Sequence, residues 1–261
     1  MGYLAETIAD LRLRDQSPGF GPAAPQWDER VMAEWLVAMP PSFAAQRQAM
    51  VAAIRHRLWA LTDRLAAADM DRALRAMAQV PREKFARAEI AELAYLPMAQ
   101  DIGLGQTISH PEMVAIMTAA AAPYGGHVLD VGTGSGYQAA VLARVARRVT
   151  SVEIIPALAQ QAAARLCDMG FANVDVVTGD AGATGAFPPT SFDAIVVAAG
   201  ATQVPVDLLA ALKVSGRLVM PLGPSPDDEH LVMIEKTAPD TVRTTVLRPA
   251  KFVPLTGQGA R

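Results

Sequence analysis

The chain of 261 residues is long for one domain and short for two large ones, with ample length to bury a sizeable core. Its net charge of −3, with no basic run longer than Arg147-Arg148, does not advertise the phosphate-neutralising surface that a nucleic-acid binder needs. The single cysteine excludes an intrachain disulfide, the four scattered histidines (His56, His110, His127, His230) show no metal-ligand spacing, and no apolar run approaches the roughly 20 residues that span a bilayer. No metal, nucleic-acid or membrane partner is therefore expected. Without a basic-then-apolar leader, a cytoplasmic location is the default expectation.

In chain order, residues 1–15 place Leu4, Ile8 and Leu11 on one face of a short amphipathic helix. Gln16 to Gln26 carries Pro18, Gly19, Gly21, Pro22 and Pro25, which no regular element tolerates, and reads as a linker or arm. A second helical pattern from Trp27 to Met39 is stopped by Pro40-Pro41, and residues 1–45 form an N-terminal extension. Residues 46–123 read as a helical region with a substrate loop. There Met50, Val51, Ile54, Leu58, Leu61 and Leu65 recur at spacings of three and four, the pattern of a buried helix face. Asp69 and Asp71 open a shorter helix carrying Leu74 and Met77 and ending at Val80-Pro81. Three roles are open to these helices: packing on the remaining chain, covering a substrate site, or mediating a homodimer.

The segment Gly103-Leu104-Gly105-Gln106-Thr107-Ile108-Ser109 sets two glycines among polar residues, as in a loop that a ligand approaches closely. Ser109 has two readings. Ser-x-x-Glu, with Glu112 three residues on and Pro111 between, is a capping box for a helix from Pro111 to Ala122. The hydroxyl can also contact a substrate, and the two are compatible because a cap uses only part of its hydrogen-bonding capacity.

Residues 124–261 alternate strand and helix with short loops, as α/β units do. Val128 to Val131 reads as a short buried strand. Gly132, Gly134 and Gly136 then turn the backbone into a helix that starts at Tyr137. Such a loop lets a ligand sit against the main chain at the positive end of a helix. The dinucleotide fingerprint has its third glycine one residue later, so the G-x-G-x-G spacing points to another nucleotide-like ligand. Val149 to Glu153 ends the next strand in an acid that can accept from both ribose hydroxyls. Val174 to Val177 runs into Gly179-Asp180-Ala181, whose acid can accept from an exocyclic base amine. There is no phosphate-binding lysine motif, so a nucleoside without a phosphate chain fits best. Pro156 opens and Gly170 closes the second helix, in which Cys167 is expected as a small buried apolar residue. Phe192 to Ala199 is apolar throughout, as for a central strand buried on both faces. Pro205 starts another helix, Val214-Ser215-Gly216 turns, and Arg217 to Leu222 makes a fifth strand. Leu231–Glu235 and Val242–Leu247 follow as strands with no helix between them.

The glycine loop with its two strand-end acids resembles the class I S-adenosyl-L-methionine-dependent methyltransferases. More closely, Val80–Phe85, Ile102–Ser109, Val128–Tyr137, Ala198-Ala199, Leu212–Gly223 and Phe252–Leu255 resemble the protein-L-isoaspartate O-methyltransferase family over about residues 70–256. The Gly-x-Gly-Gln-Thr-Ile-Ser segment is the most specific part, because the glycine loop alone is shared by many methyltransferases. The resemblance implies a doubly wound, mostly parallel α/β sheet with antiparallel C-terminal strands, bound S-adenosyl-L-methionine, and methylation of the free carboxylate of isoaspartyl residues in damaged proteins or peptides. It implies that Asp130, Gly132, Thr133, Gly134, Ser135 and Gly136 hold the methionine part of the cofactor. Glu153 would hold the ribose, Asp180 and Ala181 the adenine, and Thr107, Ile108 and Ser109 the acceptor. Ala198-Ala199-Gly200 would form a further wall. The run Leu96–Asp101 departs from the family's acidic, proline-rich loop. A second enzymatic reading therefore keeps the chemistry for one dedicated peptide or small acid, and a third makes the chain a silent binding scaffold.

Overall fold

Alternating side chains that are apolar on both faces drive the central strands into the middle of a covered sheet. In the computed structural model, which describes residues 39–258, β3 (His127–Val131), β4 (Arg148–Glu153), β5 (Val174–Thr178), β6 (Phe192–Val197) and β7 (Leu212–Leu222) run parallel. β8 (Glu229–Ala238) and β9 (Thr241–Ala250) close the sheet as an antiparallel meander. The order is β5-β4-β3-β6-β7-β8-β9. Along β6, Ala194 and Val196 enter one core while Ile195 and Val197 enter the other, and all four are completely buried. The strand order reverses between β3 and β6, the position at which open α/β sheets form their ligand crevice.

One face is covered by α1 (Phe43–Leu58), α2 (Ala67–Gln79), α3 (Pro111–Ala121) and α4 (Tyr137–Ala143). The three-four pattern is explained by this packing: Met50, Val51, Ile54, Leu58, Leu61 and Leu65 are all buried in one cluster with Val128, Val149 and Val219 of the sheet. Of the three roles open to these helices, packing on the remaining chain is the one observed. The helix expected at 1–15, the linker at 16–26 and the helix from Trp27 lie outside the described residues. α5 (Pro156–Asp168) and α6 (Val206–Ala211) complete the helices, and β1 (Gln100–Gly103) pairs with β2 (Gln106–Ile108) in a separate hairpin.

Two local expectations are corrected. β7 begins at Leu212, and no turn separates it from Arg217. Its pairing with β6 jumps from Phe192↔Leu212 to Ala194↔Arg217, so Val214-Ser215-Gly216 forms an irregularity within the strand, with Ser215 at φ 66°. Cys167 is exposed, because the buried face of α5 is made by Leu158, Ala159, Ala162 and Leu166.

The shared cluster predicts that Leu74→Ala, at a position 1 % exposed in α2, destabilises the whole protein. The loss should be about 2–5 kcal/mol. Urea denaturation followed by circular dichroism should show one transition at a lower midpoint; a shift confined to part of the signal would mean that the helices unfold separately.

Candidate active site

The carboxyl ends of β3, β4, β5 and β6 converge, and main-chain hydrogen bonds lock their loops together. The Gly132 and Thr133 amides donate to the Val152 carbonyl at 2.9 and 3.2 Å, and the Ala198 amide donates to the Val131 carbonyl at 2.8 Å. Gly132, Gly134 and Gly136 take φ values of 87°, 52° and 88°, a region that a Cβ makes costly. The Gly134 amide donates to Glu153 Oε2 at 2.8 Å, and the Ile155 amide donates to Oε1 at 3.0 Å. Glu153 is 5 % exposed and keeps further acceptor capacity on each oxygen.

Asp130 is wholly buried beneath this loop. Its Oδ2 accepts from the Ser151 hydroxyl at 2.7 Å, and Ser151 Oγ lies 2.6 Å from Thr133 Oγ1, which ties the strand end to the loop. Asp130 Oδ1 has no hydrogen-bond partner. Burial pushes the carboxyl up to about 7; the neighbouring Glu153 charge adds to the rise, and the Ser151 hydrogen bond opposes it. Ser135 Oγ accepts from the Tyr137 amide at 3.3 Å, and the Ser135 carbonyl takes a 2.7 Å hydrogen bond from Arg165.

Asp180 stands beside this group, since the Gly179 amide donates to the Glu153 carbonyl at 2.9 Å. Its Oδ1 accepts from the Gly182 amide at 2.9 Å and its Oδ2 from the Gln258 amide at 2.7 Å. Ala181 is buried in the second core. The C-terminal segment therefore reaches the site, after crossing β6 where Gly200 exchanges hydrogen bonds with Val253 and Leu255. Nothing in the spacing of Phe252–Leu255 announces that path.

The β1–β2 hairpin lies over the glycine loop. A Cβ on Gly134 would stand 3.4 Å from Ile102 Cδ1 and 4.0 Å from the Thr107 carbonyl oxygen. Gly103, Leu104 and Gly105 take positive φ, so the tight turn accounts for the two glycines. Ile108 is 3 % exposed and packs its side chain into the helical core.

Ser109 is not the helix cap. His110 Nδ1 accepts from the Glu112 amide at 3.1 Å, while the Glu112 carboxylate turns to Arg248 and Arg57 instead of reaching back to Ser109. The capping-box reading is thus corrected. Burial holds His110 down at about 4, so its ring is neutral at pH 7. The Ser109 carbonyl accepts from Arg82 Nη2 at 2.8 Å. Arg82, His110 and Gln258 are the neighbours of the site that residue patterns did not reveal; only the place of Arg82 in the Val80–Phe85 motif could have flagged it.

Comparison with known proteins follows the same lines. Residues 56–260 match the model of the family described as protein-L-isoaspartate(D-aspartate) O-methyltransferase. A protein-L-isoaspartate O-methyltransferase 1 of Rhodopseudomonas palustris (strain HaA2) is 47 % identical over 218 residues, 83 % of this chain and 85 % of its own length. A protein-L-isoaspartate O-methyltransferase 2 of Syntrophobacter fumaroxidans is 43 % identical over 217 residues, 82 % of this chain and 87 % of its own. A solved protein-L-isoaspartate O-methyltransferase superposes with a TM-score of 0.65 at 26 % identity, covering 79 % of this chain and 67 % of that one. A Plasmodium falciparum structure named for the same activity, in complex with S-adenosyl-L-homocysteine, shares the fold with a TM-score of 0.63 at 22 % identity over 78 % of this chain and 97 % of that one. With the site's architecture and a family match across most of its length, the chain belongs to the protein-L-isoaspartate(D-aspartate) O-methyltransferase family.

Proposed function

We propose that the chain transfers a methyl group from S-adenosyl-L-methionine to the free carboxylate of isoaspartyl residues in proteins or peptides, with the ends of β3, β4 and β5 as the donor site and Thr107–Ser109 as the acceptor shelf. The observation that carries this reading is the approach of the two halves: the hairpin bearing Thr107 rests on Gly134, whose amide is held by Glu153. In this reading Asp130 to Gly136 hold the methionine part, spare lone pairs of Glu153 take the ribose, and Asp180 with Ala181 faces the adenine. The unpartnered oxygen of buried Asp130 suits a cationic ligand. The net charge of −3 favours a polypeptide acceptor over a nucleic acid.

When bound, S-adenosyl-L-methionine supplies a methyl group on a positively charged sulfur, already activated toward a nucleophile. An acceptor carboxylate with an ordinary pKa near 4 is ionised at neutral pH, so no residue has to remove a proton. What remains for the protein is to align the carboxylate, exclude water and hold its non-attacking oxygen, a positional effect of about several kcal/mol. The Ser109 hydroxyl, free of capping duty, and nearby main-chain amides serve that role. His110 Nδ1 is committed to the Glu112 amide, so His110 is not poised as a base and Ser109 orients without acting as a nucleophile.

Incubation with methyl-labelled cofactor and a matched pair of isoaspartyl and aspartyl peptides should place base-labile label in the isoaspartyl peptide alone. Label in neither, with S-adenosyl-L-homocysteine still bound, would point to a dedicated peptide or small acid. Ser109→Ala should lower kcat about ten- to a hundredfold and leave the Kd for S-adenosyl-L-homocysteine unchanged. Glu153→Gln should do the reverse and weaken that Kd about tenfold in calorimetry, through loss of a charged acceptor.

Asp130 predicts a pH dependence. Folding raises its pKa from the ordinary carboxylate range to about 7, so the native chain holds this proton more tightly than the unfolded one. Its contribution to stability is complete below about pH 4 and is lost as pH rises through about 7. A cationic ligand favours the ionised carboxylate, so S-adenosyl-L-methionine should bind more tightly from about pH 6 to about pH 8. Asp130→Asn should flatten both profiles, as read by thermal melts and calorimetry.

A further inference from the structure

We infer that Arg82 is a positioning residue for methyl transfer, the joint that sets the acceptor segment at Ser109 at a fixed place relative to the glycine loop. The inference rests on the donor and acceptor assignment above.

Arg82 opens a short 3-10 turn (Arg82–Lys84) after α2 and is completely buried. Removing a guanidinium from water is costly unless its donors are matched. Here Nε donates to the Ala94 carbonyl at 2.7 Å and Nη2 to the carbonyls of Ser109 at 2.8 Å and Met98 at 3.5 Å, while the buried Nη1 has no hydrogen-bond partner. Burial lowers its pKa only to about 10, so the group stays charged at neutral pH. A methionine would fill similar volume without that cost. What the guanidinium adds is direction, a planar fork aimed at three carbonyls at once.

Its flat face completes the joint. The guanidinium carbon lies 4.8 Å from the ring centroid of Tyr137, the first residue of α4 and the one that follows Gly136. Phe85 packs edge-on against the same ring at 5.5 Å. One side chain therefore touches both the residue that leaves the cofactor loop and the carbonyl of the residue that faces the acceptor. Because in-line transfer is sensitive to misplacement of about 1 Å, this link controls the chemical step more than the affinity for either ligand.

The test is Arg82→Lys, which keeps charge but loses the fork and the stacking face. Steady-state methylation of an isoaspartyl peptide should show kcat reduced about tenfold or more, with peptide KM changed about threefold at most. The calorimetric Kd for S-adenosyl-L-homocysteine should stay within about twofold. In a cycle with Ser109→Ala, the double variant should be little slower than the slower single one, since Arg82 acts through Ser109. Unchanged kcat, parallel loss of kcat and cofactor affinity, or fully additive effects would each overturn the inference. If Arg82→Lys does not fold, Tyr137→Leu, which removes the ring under the guanidinium, should show the same kcat loss; wild-type kcat there overturns it equally. A wild-type chain that methylates no isoaspartyl peptide and binds no S-adenosyl-L-homocysteine sinks the site assignment and this inference together. Full activity of Arg82→Lys beside an impaired Ser109→Ala sinks only the role of Arg82.

Discussion

The acceptance of the Gly134 amide by the Glu153 carboxylate is the contact around which the site is organised. It ties the loop after β3 to the end of β4, and the two amides that donate to Val152 and the Thr133–Ser151 hydroxyl contact hold the loop with it. The β1–β2 hairpin comes down on the loop at Gly134, where Ile102 and the Thr107 carbonyl stand at contact distance from the position of a Cβ. The glycine loop and the hairpin that carries Thr107, far apart in sequence, become neighbours by that one approach.

The electrostatics follow from the same burial. Glu153 accepts from two main-chain amides, whereas Asp130 accepts from one hydroxyl and keeps one unpartnered oxygen, and burial raises the Asp130 pKa to about 7. A reaction between an anionic acceptor and a cationic methyl donor needs no proton transfer. Under the proposed function the polar groups would serve placement: Ser109, the main chain of Thr107 and Ile108, and the Arg82 fork that donates to the Ser109 carbonyl.

Much of this was legible beforehand because it depends on local rules. Strand ends with acids, glycines at alternate positions and the three-four pattern of Met50–Leu65 each report a constraint that acts within a few residues, and the structure has β3, β4 and β5 where those patterns lie. α1 ends at Leu58, and Leu61 and Leu65 are buried from the turns beyond it. The misreadings have a common cause as well. Ser109 looked like a cap because Ser-x-x-Glu is a local signature, yet Glu112 found Arg248 across the chain and His110 took the capping amide. Cys167 looked buried by residue type, yet the helix turns another face inward. The bulge at Ser215 looked like a turn because Ser-Gly is turn-like until a neighbouring strand pairs across it.

By itself, then, the sequence determined the glycine loop and most strands and helices of the α/β part, which follow from backbone sterics and periodicity, and its short motifs carried the resemblance to the family. Only the tertiary structure decided that the hairpin rests on Gly134, that Gln258 returns to Asp180, and that Arg82 bridges Ser109 and Tyr137. Those contacts join residues many positions apart through buried polar groups. A buried donor takes whichever acceptor the packed chain brings within 3 Å, and no local pattern encodes that choice.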